Sequence, residues 1–374
     1  MSSEKKLEEG MGLALSGGGF RATLFHLGSL WRLNELGLLK KINRICSVSG
    51  GSITAGVLGH RWSHLSFDSS GMATNFTQEI ADPLRGFCSL DIDVTAGIAG
   101  ILSIFRSISD MVISKYKKHL FGDATLQDLP SDGNGPRFII YATSLQTGVS
   151  VRFSKPYIAD YRIGMIESPD ISLATAVAAS SAFPPFLSPV ILKSDIEKWK
   201  QLEGADLFDN TEFRSKLCLT DGGVYDNLGL EAIWNRYKTV LVSDAGAPLE
   251  SESSPSSLWH NQLLRALGII SEQTRALRKR KLVEDFIKGD RQGTYWGITT
   301  HINDYKLADA MISDTELTRS LHEIRTRLNK FTDKEQGHLI NWGYALADTA
   351  LRKHVLSSKA LAPVKWPVPE YPLD

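Results

Sequence analysis

The chain has 374 residues, of which 42% are hydrophobic and 22% charged, the composition of a globular protein with a sizeable core. Lys plus Arg and Asp plus Glu each total 42, so the formal net charge is zero and no global field favours nucleic acid or an anionic membrane. Three scattered cysteines, Cys46, Cys88 and Cys218, form no CxxC pair, which argues against a disulfide framework or structural zinc site and fits a reducing compartment.

The N-terminal MSSEKKLEEGMG is polar and lacks the apolar region of a signal peptide, and no stretch reaches the roughly 18 apolar residues of a membrane span. A cytoplasmic protein that meets membranes from outside is expected, with any lipid contact local. The first apolar run, Leu13-Ala14-Leu15, reads as a buried strand ending in the turn Ser16-Gly17-Gly18-Gly19. From Arg21 to about Leu36, Leu24, Phe25, Leu27, Leu30, Trp31 and Leu33 recur at helical spacing, and Gly37 marks the stop. The grammar then repeats: Arg44 to Val48 is a strand, Ser49-Gly50-Gly51 a turn, and Ser52 to Trp62 a helix. Two consecutive βα units predict a three-layer α/β/α fold on a mostly parallel central sheet.

Further strands are expected at Arg137 to Thr143, Val149 to Phe153, Lys216 to Leu219, Thr239 to Ser243 and Tyr295 to Thr299. Helices are expected at Leu173 to Ser180, Leu258 to Lys288 and Asp314 to Leu351. Residues Val94 to Ile113, rich in small and apolar side chains, read either as a packed helix or as a lid touching lipid. The tail from Pro363, with Pro367, Pro369 and Pro372, reads as an extended strap. Without repeats or low-complexity blocks, residues 1–374 are expected to form one domain, with core motifs over 12–245, a helical insertion at about 63–130 and a C-terminal helical extension at about 250–374.

Three stretches carry chemistry. Ser49, between an apolar strand and a helix and followed by Gly50 and Gly51, has the setting of a nucleophile elbow, although a helix N-cap on a glycine turn has the same pattern. Ser47 stands where such elbows have their first glycine. The run Gly17, Gly18, Gly19 leaves backbone amides unobstructed to converge on an anion, either an oxyanion or a phosphate, while Arg21 at the helix start steadies the loop, meets a head group or makes a surface salt bridge. No P-loop or dinucleotide fingerprint accompanies the glycines. Asp221, in Thr220-Asp221-Gly222-Gly223, follows a strand, where desolvation would make it a stronger base; an ordinary β-turn aspartate is the other reading.

Together SGGGFRA at 16–22, SVSGGS at 47–52 and DGG at 221–223, with LATAVAASSAFPPFLSPV at 173–190, resemble the patatin-like phospholipase family and the related cytosolic phospholipase A catalytic domains. The resemblance implies a Ser-Asp dyad without histidine that cleaves lipid acyl esters through an acyl-enzyme. At matching positions Ser49 is the nucleophile, Asp221 the base, Gly17 to Gly19 the oxyanion hole and Arg21 a supporting cation. It implies phospholipid or another acyl lipid as substrate, peripheral membrane contact and no metal or cofactor; the oligomeric state stays open.

Competing readings exist. His301, after the strand at 295–299, would complete a Ser-His-Asp triad, and Asp244 ends a strand as a second candidate base. His26 and His60 read as packing residues. The run Arg275 to Lys281 is either a solvated helix face or a contact for anionic head groups, and Phe183-Pro184-Pro185-Phe186 either lines an acyl pocket or covers the core. Hydrolysis of neutral lipids or small esters, or a phosphate-binding signalling module without turnover, are the alternative functions.

Overall fold

The computed structural model describes residues 6–92, 108–356 and 364–374. In chain order the chief elements are β1 (Glu8–Leu15), α1 (Gly19–Glu35), β2 (Arg44–Val48), α2 (Gly50–Arg61), α3 (Asp82–Cys88) and α4 (Ile108–Tyr116). There follow β3 (Arg137–Ser144), β4 (Ser150–Phe153), β5 (Tyr157–Asp160), β6 (Gly164–Glu167), α5 (Leu173–Ser180), β7 (Val190–Lys193), β8 (Trp199–Lys200) and β9 (Lys216–Asp221). The last are β10 (Tyr237–Asp244), α6 (Trp259–Lys288), β11 (Gln292–Gly297) and α7 (Asp333–His354).

The sheet is mixed. Its centre, in the order β11-β10-β1-β2-β3, is parallel, whereas β4, β5, β6 and β8 continue it antiparallel. The central strands are apolar on both faces because each face is covered. Leu13, Leu15, Ile45, Phe138, Ile140 and Leu241 pack into the larger core, with residues of α1, α2, α5 and α7. Their neighbours Ala14, Cys46, Ile139, Tyr141, Val240 and Val242 pack into a second core that Leu282 of α6 joins. Helices on both faces make this a three-layer α/β/α fold. The strand order reverses at β1, flanked by β2 on one side and β10 on the other, and such a reversal opens a crevice at the carboxyl ends of the strands.

One register positions the site. Tyr141 of β3 pairs with Val48 and with Arg152 of β4, so β2 and β4 lie on opposite edges of β3. Ala142 and Thr143 pair with both β4 and β9, so β9 lies on the edge that β2 occupies. β2 therefore ends at Val48, opposite Tyr141, while β9 runs the opposite way and ends at Asp221, opposite Ala142. The two strands meet end to end.

Some expectations change. The helix expected over Asp314 to Leu351 is divided: a short helix at Glu316–Ser320 and an irregular passage precede α7. The divider is a capping box, in which Thr332 Oγ1 accepts from the Glu335 N–H at 3.3 Å and Glu335 Oε2 accepts from the Thr332 N–H at 2.8 Å. The strands β5 to β8, none longer than four residues, were not foreseen. Of the segment Val94 to Ile113, positions 94–107 lie outside the described residues and the remainder begins α4. The strap expected from Pro363 is present over 364–374, where Asn341 Nδ2 donates to the carbonyls of Val368 and Tyr371.

Candidate active site

Ser49 occupies the sharp turn between β2 and α2 with φ 52° and ψ −121°, a strained backbone for a residue with a Cβ and the conformation of a nucleophile elbow. Gly50 is required next: a Cβ there would lie 2.0 Å from the carbonyl oxygen of Gly19. Ser47, in place of the elbow glycine, is accommodated because its hydroxyl accepts a hydrogen bond from Ser52 Oγ at 3.0 Å.

Asp221 is buried beside this turn, its carboxylate accepts the Gly223 N–H at 2.7 Å, and the Ser49 side chain is near enough to favour its charged form. Burial pushes the Asp221 carboxyl up from 3.8 to about 6, and the Gly223 N–H together with the neighbouring Ser49 side chain holds back part of that rise. Helix α5 fastens the seam. Ser180 Oγ accepts from the Ser49 N–H at 2.9 Å and lies 2.8 Å from Ser52 Oγ. The Ser180 carbonyl accepts from Gly222 at 3.1 Å and the Ala182 carbonyl from Asp221 at 2.9 Å. Ser180 was missed as a site residue; the only sequence signal was its place in the alanine-rich stretch 173–190. Phe183 and Phe186, which follow directly, are exposed rather than covering the core.

The three glycine amides do not act alike. Gly17 N–H donates to the Asn227 carbonyl at 3.1 Å, which ties the loop to the segment after Asp221 and removes Gly17 from the expected oxyanion hole. Among the described residues the amides of Gly18 and Gly19 have no such partner, and they stand at the N-terminus of α1, the positive end of its dipole. Gly19 has φ 55°, and a Cβ would lie 1.4 Å from the Thr326 carbonyl oxygen.

Arg21 is buried and, among the described residues, makes no salt bridge. Its Nη1 donates to the His322 and Ile324 carbonyls, the second at 2.8 Å, and its Nη2 to the Ala245 carbonyl at 2.9 Å. Burial lowers its pKa to about 10. It thus staples the loops after β10 and around 322–324 to the start of α1. His26 is enclosed, with Nε2 donating to the Ser16 carbonyl at 2.9 Å and Nδ1 facing Ser243 Oγ at 2.8 Å, and burial lowers its pKa to about 4. His60 packs edge-on to Phe121.

Asp244 is occupied elsewhere. It meets Arg275 Nη1 at 2.7 Å, Tyr295 Oη at 2.6 Å and the Gly246 N–H at 2.8 Å, and these neighbours lower its pKa despite burial. The Arg275 to Lys281 run is divided: Arg275 is buried on Asp244, Arg278 faces Asp226 at 3.4 Å and Lys279 covers the Tyr295 ring, while Arg280 and Lys281 are exposed, with Lys281 2.8 Å from Asp285. His301 lies 3.8 Å from Asp314 in a separate depression lined by Trp342 and His322, away from Ser49 and Asp221.

The structure thus gathers a strained serine, a buried carboxylate and two open amides at a helix N-terminus at one end of the sheet. The patatin-like phospholipase family matches residues 13–234, more than half of the chain, and the chain belongs to that family. No curated protein matches. Human GIVD cytosolic phospholipase A2 is similar in fold, with TM-score 0.51, 13% identity, and coverage of 92% of this chain and 59% of that one. The same human enzyme in complex with methyl gamma-linolenyl fluorophosphonate gives TM-score 0.50 at 14% identity, with 94% and 59% covered. This chain thus spans 59% of the length of those phospholipase structures. VipD from Legionella pneumophila matches at TM-score 0.39 and 16% identity, with 94% of this chain and 68% of that one covered.

Proposed function

We propose that the protein is a lipid acyl hydrolase of the phospholipase A or lysophospholipase type that works through a Ser49–Asp221 dyad. The observation that carries this reading is the end-to-end meeting of β2 and β9, which sets a strained elbow serine beside a buried carboxylate whose pKa burial raises to about 6. Such a carboxylate is ionised at neutral pH and basic enough to take a proton from Ser49 as its Oγ attacks the ester carbonyl carbon. The oxyanion forms against the Gly18 and Gly19 amides. Collapse breaks the ester C–O bond, and the departing alcohol takes the proton from Asp221. Water then attacks the acyl-Ser49 carbonyl, gives its proton to Asp221 and releases the fatty acid, and Ser49 regains its hydrogen.

Peripheral membrane contact belongs to the same proposal and rests on α6. Arg275 meets Asp244 at the carboxyl end of β10, whereas Arg291, just beyond α6, bonds the Tyr237 carbonyl at its amino end. Residues 259–270 therefore run past the carboxyl ends of the strands, the end that holds Ser49, by up to ~24 Å at 1.5 Å per residue. Trp259, Leu263, Leu267 and Ile270 are exposed there, Trp259 by 75%. Apolar side chains beyond the mouth of a lipid site suit a membrane surface. The three free cysteines suit a cytoplasmic setting, which is part of this proposal.

A fluorophosphonate probe tests the dyad. Labelling is expected in the native protein and absent in Ser49→Ala, and phospholipid turnover is expected to vanish in Asp221→Asn while persisting in His301→Ala. Labelling at another serine, or loss of turnover in His301→Ala instead, overturns it. Comparing phospholipid with triacylglycerol turnover fixes the substrate class.

A further inference from the structure

The amino ends of the central strands, opposite the dyad, enclose a recess of about 260 Å³. Five cationic side chains line it, Lys40, Lys41, Arg44, Arg137 and Arg236, against one carboxylate, Asp132. That imbalance stands out in a chain whose formal net charge is zero. Arg44 and Arg137 open β2 and β3 in direct register, so the pairing of the strands itself sets two guanidinium groups side by side.

Arg44 is the least explained of the five. It is only 5% exposed, and its guanidinium lies over the Tyr237 ring at 5.6 Å. Its Nη1 donates to the Ala232 carbonyl at 3.1 Å, its Nε has no partner, and among the described residues no carboxylate pairs with it. Arg137 bonds Asp132 through Nε at 2.9 Å, and Arg236 pairs with Glu8 at 2.9 Å. Burial together with the like charges of Arg44 and Arg236 lowers the Arg137 pKa. A buried cation without a counter-ion, crowded by its own sign, is unfavourable unless an anion completes the site.

We propose that this recess binds a phosphate group, held by the guanidinium groups of Arg44 and Arg137 and by the charges of Lys41 and Arg236. A tetrahedral dianion accepts hydrogen bonds from several directions at once, which suits donors arriving from two strands and a loop better than a planar carboxylate does. Arg44 and Ser49 stand five residue steps apart at opposite ends of β2, about 17 Å at the rise of a strand, so the phosphate site is distinct from the ester site. The ligand is a phosphate on a soluble molecule or on a lipid head group.

Calorimetric titration of the full chain with inorganic phosphate, against chloride at equal ionic strength, tests the site together with flotation on phosphatidylcholine vesicles with and without phosphatidic acid. Saturable phosphate binding is expected, weakened about tenfold or more by Lys41→Glu combined with Arg236→Glu while turnover of a soluble ester stays unchanged. Arg44→Lys, which keeps the charge and loses the fork, is expected to weaken it as well; should that variant fail to fold, the rim pair alone decides. Phosphate binding identifies a soluble ligand, and flotation that requires phosphatidic acid and is lost in the rim pair identifies a lipid one. The proposal is overturned if neither probe binds, if chloride competes equally, or if the rim pair leaves binding intact. Each of these results is independent of whether Ser49 proves to be the nucleophile.

Discussion

Ser180 accepts the backbone N–H of Ser49 on its hydroxyl at 2.9 Å and the N–H of Gly222 on its carbonyl at 3.1 Å. One residue at the end of α5 therefore holds both sides of the seam where β2 and β9 meet. The elbow and the carboxylate come from parts of the chain more than 170 residues apart, and Ser180 adds to the register that β3 gives both strands.

Ser180→Ala leaves the buried Ser49 amide without its acceptor, at a cost of about 1–3 kcal/mol in stability. The elbow can then shift, and kcat is expected to fall on the order of tenfold to hundredfold with KM little changed, since a small misplacement of a nucleophile is enough. Urea midpoints and steady-state kinetics on a soluble ester measure the two effects separately. Unchanged kcat would remove Ser180 from its positioning role.

The proposed base sets the pH profile. Asp221 must be ionised to accept the Ser49 proton, so kcat/KM is expected to fall tenfold per pH unit below about 6. Stability runs the other way. Because the folded pKa is raised from 3.8 to about 6, the protonated form is favoured by folding, and the buried charge costs about 3 kcal/mol above pH 6. That cost disappears below about pH 4. Asp221→Asn is therefore expected to melt higher than the native protein at pH 8, with no advantage at pH 4, while having lost turnover. A lower melting temperature at pH 8 would mean that the carboxylate is structurally supported rather than held for chemistry.

Asp244 provides the contrast between two buried aspartates at strand ends. Its charge is matched by Arg275, which Glu272 also pairs, so Asp244→Asn removes one of two counter-charges from a buried guanidinium and is expected to destabilise the protein by about 1–3 kcal/mol. Protein that remains folded at low temperature should still hydrolyse ester. Loss of turnover without loss of stability would instead favour Asp244 as the base.

The local part of this architecture is legible in the sequence. β1, α1 and β2 each combine an apolar run or helical period with a glycine stop, α2 starts from the glycine turn itself, and these signals lie within a few residues of the structure they cause. What is not legible depends on distant partners. That Gly17 is withdrawn from the anion-facing amides depends on the Asn227 carbonyl, and the burial of Arg275 inside an apparently charged run depends on Asp244. The end-to-end meeting of β2 and β9 follows from both pairing with one edge of β3, which no local pattern encodes. The capping box at Thr332 and Glu335 is a local signal that the helix expected over 314–351 runs across.

Arg21 is expected to act on order rather than on substrate. Arg21→Met removes its bonds to the Ala245, His322 and Ile324 carbonyls, a loss of about 2–4 kcal/mol. Since Thr326 and Arg327 lie against Gly19 and Phe20, the glycine loop should lose its cover, and the passage 322–328 should become sensitive to limited proteolysis. Arg21→Lys is not expected to rescue it, because one ammonium cannot span carbonyls on two loops.

The exposed half of α6 separates surface binding from chemistry. Trp259→Gln with Ile270→Gln removes two of its most exposed apolar side chains, and neither residue touches the dyad. Fully burying such side chains in lipid contributes about 1.5–3 kcal/mol each, so losing both should weaken vesicle binding by at least about tenfold. Turnover of a water-soluble ester is expected to stay constant, whereas turnover of vesicle phospholipid should fall in parallel with binding. If vesicle turnover persists while α6 is made polar, the enzyme meets its lipid by another face, and the projecting helix then serves contact with a protein instead.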